Sequence, residues 1–140
     1  MVNYNVYRRQ AEKNEDTAKA ARSGFPDWAV IMCFYAALHW VNDYAFRNNE
    51  MINTKPSFYC DDNGKKPSEH RAKQNYIKHV ARRKNNPKLE TAYKNLFDES
   101  MKARYLKELE DEDCTATDYY SEVGVQFCFD YLEQIKKGLS

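Results

Sequence analysis

Three residues whose side chains can carry acid–base chemistry, Tyr35, His39 and Asp43, follow one another at steps of four in an otherwise apolar segment. This spacing places all three on one face of a helix. The Asp43 carboxylate could orient His39 and stabilise its charged form, which is a general-base arrangement. Because buried polar groups are normally paired, the three side chains could instead satisfy one another inside a helix bundle. Both interpretations follow from the same spacing.

A second polar pair, Ser100 and Arg104, stands one helical turn apart and continues the apolar stripe of a later helix. An arginine at the edge of a core needs an acid or an anion beside it. Asp43, or a carboxylate of another helix, is one such partner. A phosphate is the other, because guanidinium binds phosphate oxygens bidentately. Arg104 is therefore either an ion-pair partner or an anion ligand.

His70 lies almost in line with Ile77 on a predicted helix, so we expect it to point toward the core edge, where His39 or Arg104 could meet it. About half a helical turn separates His70 from His79, which argues against a three-histidine metal site. The four cysteines form no Cys-x-x-Cys pair and no zinc-finger spacing with a histidine. Glycine is too sparse for a phosphate-binding loop. We therefore expect neither a metal nor a cofactor.

The same helix carries a dense basic region, which comprises Arg71, Lys78, Arg82, Arg83 and Lys84. A solvated helix face is one explanation of such charges, and contact with RNA phosphates is the alternative. Tyr59 and Tyr76 could then stack on the bases of single-stranded RNA, or serve as core residues. The whole chain has a formal net charge of only +1, so it lacks the strongly basic balance that often marks a nucleic-acid-binding protein.

A length of 140 residues fits a single domain over positions 1–140, and a content of 42% hydrophobic residues is sufficient for a core. No apolar run approaches the roughly 20 residues that a membrane span needs. The polar residues 1–19 contain no apolar signal core. We expect a cytoplasmic protein that does not enter a membrane, with Cys33 and Cys128 as buried free thiols.

Hydrophobic periodicity and helix-capping residues predict five helices and no strand. The predicted ranges are about 4–22, 27–47, 68–83, 88–109 and 117–138. The second helix is apolar nearly all round, which is typical of the central helix of a bundle. Residues 48–67 form a long connection, which in a compact domain is either functional or mobile. The predicted fold class is therefore all-α, an antiparallel bundle of four to five helices.

The last helix carries a predicted core face of its own. Its members are Tyr120, Val123, Phe127, Tyr131 and Ile135. They recur at steps of three and four, the spacing of an amphipathic helix, so we expect this face to pack against the other helices.

Three segments, WAVIMCFYAALHWVNDY, KPSEHRAKQNYIKHV and YKNLFDESMKARY, occur in this order along the chain. Their order resembles the HEPN domains of bacteria and archaea, and the resemblance covers about residues 22–135. It implies a HEPN-like bundle of four to five helices, often a homodimer. It also implies a role around RNA or nucleotides, commonly in defence, toxin–antitoxin or stress systems. Active members of the family are metal-independent ribonucleases that use an arginine followed, after four to six residues, by a histidine.

This chain departs from the ribonuclease motif, because seven residues separate Arg71 from His79, and the residue with the expected spacing is Lys73. Lysine lacks the bidentate fork of arginine. One hypothesis is a HEPN-like module that binds RNA or a nucleotide phosphate, or a divergent ribonuclease. In it, His39 or His70 is the acid or base and Arg104 holds phosphate. The alternative is a non-enzymatic dimeric interaction protein that pairs with an antitoxin, a nucleotidyltransferase or another neighbouring protein.

Overall fold

The computed structural model of the chain describes residues 5–52, 55–56, 68–105, 120 and 122–140. These residues contain five α-helices and one pair of two-residue strands. The elements are α1 (Asn5–Ala21), α2 (Pro26–Arg47), β1 (Met51–Ile52), β2 (Lys55–Pro56), α3 (Glu69–Arg83), α4 (Pro87–Tyr105) and α5 (Glu122–Gly138). The all-α class and the five helices are thus confirmed, and the short antiparallel β1–β2 pair is an addition to them. No helix in the described ranges combines the length and apolar character needed to cross a membrane.

The helix ends follow from local sequence signals. Pro26 stands in the first turn of α2, where its missing N–H is not needed. Ser68 caps α3, because its Oγ accepts a hydrogen bond from the Arg71 backbone N–H at 3.2 Å, as predicted. Between α3 and α4, Asn85 adopts a positive φ of 53°, a conformation that asparagine tolerates, and Pro87 then begins α4. The predicted end of the fourth helix at 109 and the start of the last at 117 lie outside the described residues.

Helices that are close neighbours along the chain run antiparallel. The ring of Tyr7, early in α1, packs against that of Phe46 at the end of α2, with centroids 5.8 Å apart. The short turn after α3 likewise sends α4 back along it. Tyr120, just before α5, donates a hydrogen bond to the carbonyl oxygen of Glu99, late in α4, at 2.8 Å. The predicted antiparallel arrangement is therefore correct for these three pairs.

Helices α2 and α3, however, run in the same direction. The ring of Phe34, in the first half of α2, lies 5.9 Å from that of His70 at the start of α3. The Arg83 guanidinium, at the end of α3, donates to the hydroxyl of Tyr44, near the end of α2, at 3.0 Å. Between α2 and α3 the chain must therefore return to the opposite end of the bundle.

Helix α2 occupies the centre of the bundle, as predicted, and contacts each of the other four helices. On α1, Ala11 and Ala18 are fully buried, and their small side chains allow α1 to approach α2 closely. Cys33 and Cys128 are buried in the core as free thiols. Burial raises the pKa of both thiols, so they stay protonated near neutral pH.

The predicted core face of α5 is wrong at Phe127, whose side chain is 55% exposed. Tyr120 and Ile135 are buried as predicted, Tyr131 is partly buried against the core, and the Val123 side chain lies outside the description. The buried residues that form one stripe are Val125, Cys128, Leu132, Ile135 and Leu139, and Phe129 is buried outside that stripe. Repeated steps of four drift by about 40° each around a helix, so Phe127 lies about 80° away from Ile135. Steps that alternate between three and four keep the observed residues on one side.

Because Phe127 faces solvent, we expect Phe127→Ser to change the free energy of unfolding by no more than about 0.5 kcal/mol. The neighbouring substitution Cys128→Ser places a hydroxyl in the apolar core and should cost about 1 kcal/mol or more. Urea denaturation of both variants measures this difference. A large loss in Phe127→Ser would contradict the position of α5 described above.

Candidate functional site

The structure separates the three polar residues of α2 into different contacts. Asp43 is fully buried and accepts a hydrogen bond from Arg47 Nε at 2.9 Å. The Tyr35 hydroxyl accepts a hydrogen bond from Arg104 Nη1 at 3.0 Å. His39 Nδ1 is buried and has no hydrogen-bond partner. Asp43 is therefore not the partner of His39, because Arg47, which also lies one turn away, offers it a full positive charge.

Arg104 is half-buried at the end of α4 and is held by neutral atoms. Its guanidinium donates to the carbonyl oxygen of Ser100 at 3.3 Å and to Ser100 Oγ at 3.4 Å, besides its bond to Tyr35. It also contacts the Met101 sulfur at 3.3 Å. No carboxylate pairs with Arg104 in the described part of the chain, so neither Asp43 nor any other described acid is its partner. The anion-ligand interpretation is the one that this environment favours.

His70 stands between two aromatic rings and has an unpartnered nitrogen. Its ring centroid lies 5.9 Å from that of Phe34 and 5.4 Å from that of Phe97. Its Nδ1 is buried without a hydrogen-bond partner. Burial lowers the pKa of His70, and the positive charges of Arg104 and Lys73 lower it further. His70 is therefore neutral near pH 7 and able to accept a proton.

His39 shares this electrostatic environment. Burial lowers the pKa of His39, and the nearby ammonium group of Lys73 lowers it further. Lys73 thus acts on both His39 and His70, and Arg104 acts on His70. The positive charge of Lys73 therefore favours the neutral form of both imidazoles, and that of Arg104 favours the neutral form of His70.

A cavity of about 300 Å³ opens beside this group, between α1, α2 and α3. It is lined by Tyr7, Leu38, Asn42, Glu69, His70 and Lys73. Asn42 and Lys73 are each only 6% exposed. Asn42 Oδ1, like His70 Nδ1, is buried with no hydrogen-bond partner. The wall of the cavity therefore contains polar atoms whose hydrogen-bonding capacity the described protein atoms do not use.

The remaining residues singled out in the sequence do not line the cavity or lie outside the described residues. His79 is exposed, away from half-buried His70. Within the described ranges, no group of three or more histidine, cysteine, aspartate or glutamate side chains could hold a metal ion. Tyr76 is fully buried, so its ring is a core residue and not a stacking surface for bases. Tyr59 lies outside the described residues. In the basic region, Arg83 forms an ion pair with Glu50 at 2.8 Å.

Asn42 is not among the residues selected from the sequence, and Lys73 is considered there only for its spacing from His79. The position of each residue in its helix nevertheless indicates that it is buried. Asn42 is a polar residue in the most apolar helix and directly precedes Asp43. Lys73 precedes Ile77 by one turn, so it shares the buried face of α3. A lysine in register with a core residue indicates a functional or paired cation, because charged groups are rarely buried alone.

Neither a family model, nor a curated protein, nor a solved structure matches this chain. The chemistry available at the site is that of its own side chains. His70 can accept a proton, Arg104 and Lys73 carry positive charge, and the Asn42 amide can form hydrogen bonds. Such a set suits an anionic ligand that also carries hydrogen-bond donors.

Proposed function

We propose that this chain binds the phosphate group of RNA or of a nucleotide at Arg104 and Lys73, beside His70. The observation that carries the proposal is the environment of Arg104, a half-buried cation without a carboxylate partner in the described chain. Phosphate oxygens can accept the guanidinium N–H groups in pairs, which gives strong and directional hydrogen bonds. The charge of Lys73 adds to the attraction.

The same arrangement supports a divergent, metal-independent ribonuclease as the catalytic form of this function. Neutral His70 can take a proton from a ribose hydroxyl while Arg104 holds the phosphate. The ribose oxygen would then attack the phosphorus as the bond from phosphorus to the 5′ oxygen breaks. His39, as the second acid–base group, would have to be in its protonated form to give a proton to that leaving oxygen. The resemblance to HEPN domains supports this function and, with it, a homodimer.

Replacing Arg104 by glutamine should weaken RNA binding by about tenfold or more, because a charge-assisted hydrogen bond contributes about 1.5–3 kcal/mol. The measurement is the fluorescence anisotropy of a labelled single-stranded RNA of mixed sequence, without added metal. The matched control is Arg82→Gln, which removes one guanidinium from the exposed far end of α3. A denaturing gel of the same samples shows whether the RNA is also cleaved.

Equal weakening in Arg104→Gln and Arg82→Gln would show general electrostatic attraction and contradict the proposed site. No binding by the wild-type protein would reject the function altogether. The non-enzymatic interaction module would then be the better interpretation. Phe25, Trp28 and Phe127 favour it, since all three expose large aromatic side chains.

A further inference from the structure

The cavity between α1, α2 and α3 contains an acceptor that lacks a donor. Asn42 lines this cavity from the central helix, and its side chain is more than nine-tenths buried. Its Oδ1 accepts no hydrogen bond. A buried polar atom without a partner costs about 1–3 kcal/mol, so a group that donates to it from the cavity is favoured.

A phosphate cannot be that group. Phosphate oxygens accept hydrogen bonds, so they suit Arg104 and Lys73 but leave Asn42 Oδ1 without a donor. Glu69, at the rim, adds a further carboxylate that repels an anion at this position. The ligand that satisfies the whole site therefore has two parts. One part is anionic and lies near the cations, and the other carries N–H donors and enters the cavity.

The cavity also has walls suited to a flat ring. Tyr7 and Leu38 provide aromatic and apolar surface, and the imidazole of His70 provides an aromatic edge with its unpartnered Nδ1. A volume of about 300 Å³ stands at the lower end of the range for small-molecule sites. Proteins that bind single-stranded RNA place unstacked bases against aromatic side chains and hydrogen-bond their edges.

We infer that this cavity is a nucleobase pocket that reads the exocyclic amine of adenine, with the adjoining phosphate on Arg104 and Lys73. Asparagine recognises adenine with two hydrogen bonds, in which Oδ1 accepts from the exocyclic N6 amine and Nδ2 donates to N7. The inference rests on the proposed function, since the phosphate contacts are shared. It adds a base specificity that the cations alone cannot give.

The test compares two labelled single-stranded hexamers, hexaadenylate and hexainosinate, by fluorescence anisotropy at one salt concentration. Both carry the same phosphates, but inosine replaces the amine donor of adenine by a carbonyl acceptor. We expect the wild type to bind hexaadenylate about tenfold more tightly, because a bidentate contact discriminates by about 1–3 kcal/mol. Asn42→Ala should remove this preference, and it should weaken binding of hexaadenylate more than binding of hexainosinate, which keeps N7 but lacks the N6 amine. Asn95→Ala, on α4, is the matched control and should keep the preference.

Equal affinity of the wild type for both hexamers would overturn the adenine pocket while leaving phosphate binding intact. A preference that persists in Asn42→Ala would equally overturn it, because another group would then read the base. No binding of either hexamer would reject the proposed function itself. The comparison of the two hexamers needs no variant, so it stands even if Asn42→Ala does not fold.

Discussion

Phe34→Ala should lower the free energy of unfolding by about 3–5 kcal/mol, the cost of removing a fully buried phenylalanine ring. Phe34 is fully buried on the central helix. Its ring centroid lies 5.6 Å from that of Tyr35, 5.9 Å from His70, 5.8 Å from Tyr93 and 5.6 Å from Phe97. The substitution would leave a cavity among these rings, and chemical denaturation measures the loss.

The matched control is Phe25→Ala, because Phe25 is 64% exposed and the substitution there removes the same atoms. We expect a change of about 0.5 kcal/mol or less for this control. Similar losses for the two variants would show that the aromatic cluster is not the core of the bundle. Since Phe34 supports the ring of His70, Phe34→Ala should also weaken ligand binding at temperatures where the variant remains folded.

Glu50→Gln is the second substitution with a large expected effect, about 2 kcal/mol of lost stability, because hydrogen bonds to charged groups each contribute about 1.5–3 kcal/mol. The Glu50 carboxylate accepts two hydrogen bonds from Arg83, both at 2.8 Å, and one from the Tyr76 hydroxyl at 2.9 Å. We expect less than the sum of these bonds. The Arg83 side chain is 40% exposed, and water screens its pairing.

The contribution of Glu50 should depend on pH. Hydrogen bonds from Arg83 lower the pKa of Glu50 most strongly, and the bond from Tyr76 lowers it further, against the opposing effect of burial. The folded state therefore binds a proton less readily than the unfolded chain, whose carboxyl titrates near 4.5. The stabilisation is complete above pH 4.5 and is lost as the pH falls through the lower, folded-state pKa.

Denaturation curves of the wild type and of Glu50→Gln, taken between neutral and acid pH, measure this dependence. The difference between the two proteins should be largest at neutral pH and should shrink in acid. Glu12→Ala, at an exposed position of α1, is the control and should show little difference at any pH. A constant difference across the whole range would contradict the assignment of the ion pair to Glu50.

The helices and their ends could be predicted because local sequence determines them. The capping hydrogen bond of Ser68, the proline that begins α2 and the apolar character of α2 are all properties of adjacent residues. The direction of α3 relative to α2 could not be predicted. It depends on which ends of the helices meet in space, for example Phe34 with His70. The face of α5 was misjudged because a helix with many aromatic residues offers more than one regular stripe.

In the candidate site, too, the residues themselves could be predicted from the sequence, but their contacts in space could not. Each of His39, His70 and Arg104 could be selected as a polar residue on an apolar stripe. The structure places Arg104 against the Tyr35 hydroxyl and His70 between the rings of Phe34 and Phe97. Their partners could not be predicted, because several groups lay one turn away from each. Asp43 has both His39 and Arg47 at that distance, and the choice between them depends on charge and on the depth of burial.

The parallel course of α2 and α3 has a consequence for how the ligand site forms during folding. Tyr7, Leu38 and Asn42 belong to the α1–α2 hairpin, whereas Glu69, His70 and Lys73 belong to the α3–α4 hairpin. Each hairpin consists of local contacts and can form quickly, but docking of the two requires slower closure of a long loop. An intermediate with both hairpins formed and undocked would have no cavity. Any ligand of the cavity would therefore shift the equilibrium toward the docked state by mass action.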